Sequence, residues 1–128
     1  MTERTTVTDF DYSRLATLAK AVGRTAGSQG SPALAERLRN AIVFKENELP
    51  ATFVRMQSTA KLTDLGTGES YVYRLVFPAE ANIASGRISI LSPFGAAMLG
   101  RQAGEVFSYQ SPGGTVRMRV EEIVHGLP

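Results

Sequence analysis

The side chains best suited to acid–base, metal or redox chemistry are one histidine, twelve carboxylates and no cysteine. His125 follows the last strand-like run, with Glu121 and Glu122 close by in sequence. A carboxylate-oriented imidazole can serve as a general base, but a lone histidine in this position is expected to be a surface or edge-strand residue. Without cysteine there is no disulfide and no thiolate metal site, and one histidine cannot build a His-rich one. Asp9 and Asp11 could in principle offer oxygen ligands to a hard cation. Their place at the start of a helix predicts capping and favourable placement in the helix dipole instead. Gly66-Thr67-Gly68-Glu69 lacks the form of a phosphate-binding loop and reads as a hairpin turn. Between positions 20 and 39 the cations Lys20, Arg24, Arg37 and Arg39 face one acid, Glu36. That bias suits an acidic protein surface or RNA, or simply a solvated helix face. Arg37 and Arg39 cannot share a face of one helix.

The elements that position these groups are most legible in Ile88–Val120. Ile88-Ser89-Ile90-Leu91 is a strand-like run. Ser92-Pro93 supplies an N-cap and a first helical residue: the Ser oxygen accepts a free backbone N–H, and Pro has none to leave unmade. Gly95 to Leu99 carries small residues over one or two turns, and Gly100 can take the left-handed conformation that ends a helix. Ser111-Pro112-Gly113-Gly114 is a β-turn between two alternating strands. Upstream, Tyr71, Tyr73, Leu75 and Phe77 share one face of a strand ended by Pro78. Thr52 to Leu65 alternates with period two and predicts another strand. About five strands and one short helix are expected, the sheet being antiparallel and wrapped around the helix.

The N-terminal part has helical spacing. Residues 1–6 are polar and predicted to be loose. Thr8 is a candidate N-cap, with Asp11 as its capping-box partner and Val7 and Tyr12 as a hydrophobic staple. Leu15, Leu18 and Val22 recur on one face as far as Gly23. Gly23 to Gly30 is a glycine-rich loop. Ser31-Pro32 restarts a helix whose face carries Leu34, Leu38, Ala41, Ile42 and Lys45, ending near Asn47 before Pro50. Two such helices joined by a short loop predict an antiparallel helical hairpin.

The chain has 128 residues, a length for one domain or one domain with a small appendage, and 43% hydrophobic content. Its net charge is only +2, so the sequence pI of about 9.2 does not signal the dense positive field of a dedicated nucleic-acid binder. No apolar run reaches the length of a membrane-spanning helix, and the first ten residues lack the apolar core of a signal peptide. A cytoplasmic protein with no membrane partner is expected.

The Ile88–Val120 segment resembles the C-terminal domain of the Gre transcript-cleavage factors. The resemblance is carried in order by Ser92-Pro93, Ala97-Met98-Leu99-Gly100, Gly104-Glu105 and Pro112-Gly113-Gly114, and extends more loosely over Leu49 to His125. A helical hairpin followed by a mixed domain strengthens it. The short hairpin, and Glu48-Leu49-Pro50 before a strand, look more like the Rnk group, regulators of nucleoside diphosphate kinase, over Asp9 to His125. The resemblance implies an α+β fold: a short coiled-coil-like hairpin over residues 1–48, then an FKBP-like antiparallel β-sheet domain with one short helix over residues 49–128. It implies RNA polymerase as partner, docked at the rim of its secondary channel through Ser92, Pro93, Phe94, Ala97 and Arg101, with no cofactor and no sequence-specific nucleic-acid contact. Phe94 would be either an exposed hot spot or core. Lys20, Arg24 and Arg37 would mark the hairpin tip.

Two departures from the Gre pattern matter. Gre tips carry acids that help hold a catalytic Mg²⁺, whereas Gly23-Arg24-Thr25-Ala26-Gly27-Ser28-Gln29-Gly30 has none. No transcript cleavage is therefore expected, and the chain is not expected to be an enzyme. Leu91 stands where many Gre proteins carry an acid. FKBP likeness also raises a prolyl isomerase or chaperone-like peptide binder. That needs a deep aromatic-lined pocket, while this chain has no Trp and its aromatics alternate as core residues do. A basic RNA-binding module would show affinity falling steeply with salt; the near-neutral charge argues against it. Oligomeric state is open.

Overall fold

The computed structural model describes the backbone of residues 5–24 and 32–124, and the side chains of residues 5–21 and 32–124. The acid-free loop from Thr25 onward, the cap at Ser31, the Arg24 side chain and His125 lie outside the described residues, while Gly23 and Arg24, expected in that loop, still belong to the first helix. The chain opens with strand β1 (Thr5–Thr8), helix α1 (Asp9–Arg24), helix α2 (Pro32–Arg39) and strand β2 (Ala41–Phe44). β1 and β2 pair in parallel, with Thr5 opposite Ala41 and Thr8 opposite Phe44.

Two expectations are corrected here. Thr5 and Thr6 are not loose; they belong to β1. The second helix does not run to Asn47; it ends at Arg39, and Ala41-Ile42-Val43-Phe44 is a strand. The shared i, i+4 spacing of Leu34, Leu38 and Ile42 cannot separate a helix from a helix followed by a short strand. β-Branched and aromatic residues then take the strand because β1 offers them an edge.

Helix α1 starts as read. The Thr8 hydroxyl accepts the Asp11 N–H at 3.0 Å. The Asp11 carboxylate does not close a capping box, however. It accepts the Met56 N–H at 2.9 Å, fastening α1 to a loop 45 residues further along.

The remaining strands form one sheet: β3 (Thr59–Asp64), β4 (Ser70–Val76), β5 (Arg87–Ser89), β6 (Val106–Ser111) and β7 (Gly114–Val124), in the order β5-β4-β3-β7-β6. Pairing is antiparallel except between β4 and β5, which are parallel, so the expected all-antiparallel sheet is corrected at one edge. The predicted strand from Thr52 begins only at Thr59. Before it, Gln57 has a positive φ of 72°, the Ser58 hydroxyl accepts the Arg55 N–H at 2.9 Å, and Asp11 holds Met56. Side-chain acceptors thus draw this stretch away from ladder pairing.

Helix α3 (Pro93–Met98) follows β5 and packs against β6 and β5. Leu62, Leu75, Ile90, Met98, Leu99, Phe107 and Val120 form the centre of one hydrophobic cluster, which also includes Val7, Leu15 and Leu34. The two N-terminal helices therefore bury residues in the same core as the sheet.

Candidate docking site at helix α3

Ser92 caps α3 as its sequence requires: its Oγ accepts the Gly95 N–H at 3.0 Å and donates to the Ser89 carbonyl at 2.7 Å. Pro93 is exposed at the first helical position. Gly100 ends the element with φ 78°. A Cβ there would stand 2.7 Å from the Thr6 carbonyl oxygen, so β1 can approach only because the residue is glycine.

Phe94 is half-buried. Its ring stacks on Tyr109 with centroids 4.7 Å apart, meets Tyr73 edge-on at 5.4 Å and faces Phe107 at 6.4 Å. The four rings come from β4, α3 and β6 and anchor α3 to the sheet, each pair adding of order 1 kcal/mol beyond burial. Burial pushes the Tyr109 phenol above its usual range, so it stays neutral across physiological pH.

Arg101 is 6% exposed. Its Nε donates to the Ala97 carbonyl at 2.6 Å, Nη1 pairs with Glu105 Oε2 at 2.9 Å, and the guanidinium lies 5.2 Å from the Phe107 ring centre. It therefore closes the C-terminal end of α3 as well as bordering the surface. Replacing Arg101 by Ala is expected to cost about 2 kcal/mol through lost packing and orphaned acceptors. The urea midpoint should drop with the slope unchanged.

Pro93, Ala97 and Arg101 come together on the wall of a largely apolar groove of about 560 Å³, completed by Pro32 and Ala33 of α2 and by Ser108 and Gln110 of β6. Ser92 and Phe94 lie beside it, occupied by the cap and the aromatic cluster. The contribution of α2 was not legible in sequence. It arises because the Arg37 guanidinium donates to the Leu99 carbonyl, 62 residues away. Arg37 is thus half-buried against α3 instead of marking a distal tip, since α2 is only eight residues long. Lys20 is exposed on α1. No described helix is long and apolar enough to cross a membrane.

Residues 49–125 match the family described as transcription elongation factor, GreA/GreB, C-terminal. Among curated proteins, the chain is 41% identical over 80 residues to transcription elongation factor GreA of Methylococcus capsulatus, a match covering 62% of this chain and 51% of that protein. It is 36% identical over 88 residues to GreA of Christiangramia forsetii, covering 69% and 56%. The chain thus spans about half the length of the curated relatives it matches. Among solved structures, a prokaryotic transcription elongation factor GreA/GreB from Nitrosomonas europaea superposes with a TM-score of 0.76 at 29% identity, covering 95% of this chain and 100% of that one. The capped helix, the Pro-Gly-Gly hairpin and the sheet that joins them are the matched region, and the chain belongs to the GreA/GreB C-terminal family.

Proposed function

We propose that this protein is a transcription regulator that binds RNA polymerase at the rim of the secondary channel and does not stimulate transcript cleavage. The family match over residues 49–125 carries the reading. The exposed Pro93 at the head of α3, beside an apolar groove, supports α3 as the docking element. Ser92 and Phe94 act by holding Pro93 and Ala97 in place, and Arg101 by closing the helix.

The lack of cleavage activity is supported by the sequence from the last turn of α1 toward α2, which has no carboxylate from Gly23 to Gly30 to hold a metal. Helix α1 has 16 residues, about 24 Å at 1.5 Å per residue. A short helical unit of the Rnk kind would occupy the channel entrance and exclude longer Gre-type factors. The aromatics that a prolyl-binding pocket would need are packed against one another, so no second reading is favoured.

The test is binding of the purified chain to core RNA polymerase with a Gre-type factor as competitor. Displacement is expected, together with no stimulated cleavage in a backtracked complex. Pro93→Asp should weaken binding at least about tenfold, some 1.4 kcal/mol, with unchanged thermal unfolding because Pro93 is exposed. Unchanged affinity of that variant would refute the docking assignment.

A further inference from the structure

Among the described residues, no strand pairs with the outer edge of β6, whose single partner is β7, in the register Ser111↔Gly114, Tyr109↔Val116 and Phe107↔Met118. A two-residue hairpin loop closes on a hydrogen-bonded pair. The Val120 N–H meets the Glu105 carbonyl at 2.9 Å, which fixes the same parity at the far end. Residues 107, 109 and 111 therefore direct their backbone groups to β7, as Glu105 does its carbonyl while its N–H turns to the Gln102 carbonyl, and Ser108 and Gln110 direct theirs outward. Among the described residues, nothing hydrogen-bonds to those outward groups. The Gln110 side chain is turned to Thr115 at 2.8 Å and does not cover them.

The groove runs along this same edge, lined by Ser108 and Gln110 of β6, by Pro93 and Ala97 of α3, and by α2, whose apolar Pro32 and Ala33 are followed by the oppositely charged Glu36 and Arg37. With α2 as a far wall, the space suits one extended chain and not a second sheet. A helix laid there would leave the strand's N–H and C=O groups unpaired, whereas an added strand satisfies them. Charge narrows the occupant further. Arg117 stands opposite Ser108 on the outer face, has no ion pair among the described residues, and shares a small polar cleft with Ser108.

We propose that the β6 edge and its groove bind an extended segment of a partner protein as a sixth strand. Successive side chains of a strand point to opposite faces. The segment therefore alternates apolar residues, which enter the groove, with acidic residues, which meet Arg117. Peptide capture here does not depend on polymerase docking, although Pro93 and Ala97 border both surfaces.

The probe is the peptide acetyl-Asp-Val-Asp-Val-Asp-Val-Asp-amide, titrated into the full chain labelled with ¹⁵N. Saturable binding is expected, with amide exchange at Ser108 and Gln110 slowed at least about tenfold. N-methylation of alternate peptide amides should abolish binding, and Lys in place of Asp should weaken it about tenfold. Gln110→Pro removes an outward N–H without touching the β7 ladder, and should weaken binding at least about tenfold while folding normally. Arg117→Glu should do so through charge alone. No shift at roughly 1 mM peptide, equal binding of the N-methylated peptide, or protection mapping away from β6 would overturn the proposal. So would a dimer that Gln110→Pro dissociates, which would make a second copy the occupant.

Discussion

Gly95→Ala should destabilise the fold by about 3 kcal/mol or more, although Ala is the better helix former by about 1 kcal/mol. A Cβ at Gly95 would stand 2.0 Å from the Ser89 carbonyl oxygen, 2.8 Å from the Ser89 carbonyl carbon and 3.2 Å from the Ile90 Cα. All three are backbone atoms, and they cannot give way separately. Ser89 is paired with Val76 in the sheet. The Ile90 N–H donates to the Val76 carbonyl at 2.9 Å. The Ser92 hydroxyl holds the same Ser89 carbonyl from the other side. Relief of the clash requires α3 to lift from β5, which opens the aromatic cluster around Phe94 and removes the groove. Gly113→Ala is the matched control, since a Cβ there meets nothing closer than the Ser111 hydroxyl at 4.0 Å. A thermal melt should place Gly95→Ala far below wild type and Gly113→Ala close to it. Equal midpoints would show that α3 is not seated on β5 as described.

What sequence reasoning reached, and what it did not, divides by the range of the interactions. Ser92, Pro93 and Gly100 delimit α3 through contacts within a few residues, and the hairpin at Pro112-Gly113 is equally local. Those features were legible because capping and turn chemistry are properties of the segment itself. The fate of Ala41–Phe44 was not, because those residues become a strand only beside Thr5–Thr8, far away in sequence. Thr52–Ser58 alternates well enough for a strand, yet Asp11 takes one of its amides and Gln57 turns over. At the site, Pro93 and Ala97 were found from the Ser-Pro helix. The groove was not, since its second wall depends on Arg37 reaching Leu99. Arg101 showed the opposite problem: its charge suggested a partner, while its surroundings give that charge Glu105, a carbonyl and an aromatic face.

Asp11→Ala should cost about 1–3 kcal/mol, the price of leaving a buried amide without its acceptor, whereas Asp11→Asn should cost much less. Asp11 is 4% exposed, and its carboxylate is the acceptor for Met56. Asn keeps an oxygen in that place, and Ala does not. The two variants also separate hydrogen bonding from charge. Burial raises the Asp11 pKa above its ordinary 3.8; Glu46 adds to the rise, while the Met56 N–H, Arg14 and Arg55 oppose it. The folded chain therefore holds this proton more tightly than the unfolded chain does. Between 3.8 and the raised value, Asp11 makes stability fall as pH rises, and above that window it contributes a constant penalty. Asp11→Asn removes the titration, so its stability should change less over that window than wild type does. Near neutral pH its deficit should be small. Urea unfolding of wild type and both variants across roughly pH 4 to 7 reads out both effects. If Asn proves as damaging as Ala at every pH, the carboxylate is not acting as the acceptor for Met56. Because Asp11 sits on α1 and Met56 just ahead of β3, that bond fastens the helical unit to the sheet. Arg14 reinforces it from the next turn, lying 5.0 Å from the Phe10 ring centre and 4.3 Å from that of Phe77. Loss of Asp11 should therefore speed amide exchange in α1 well before the sheet opens, and a uniform loss of protection would show instead that the helices and sheet unfold as one unit.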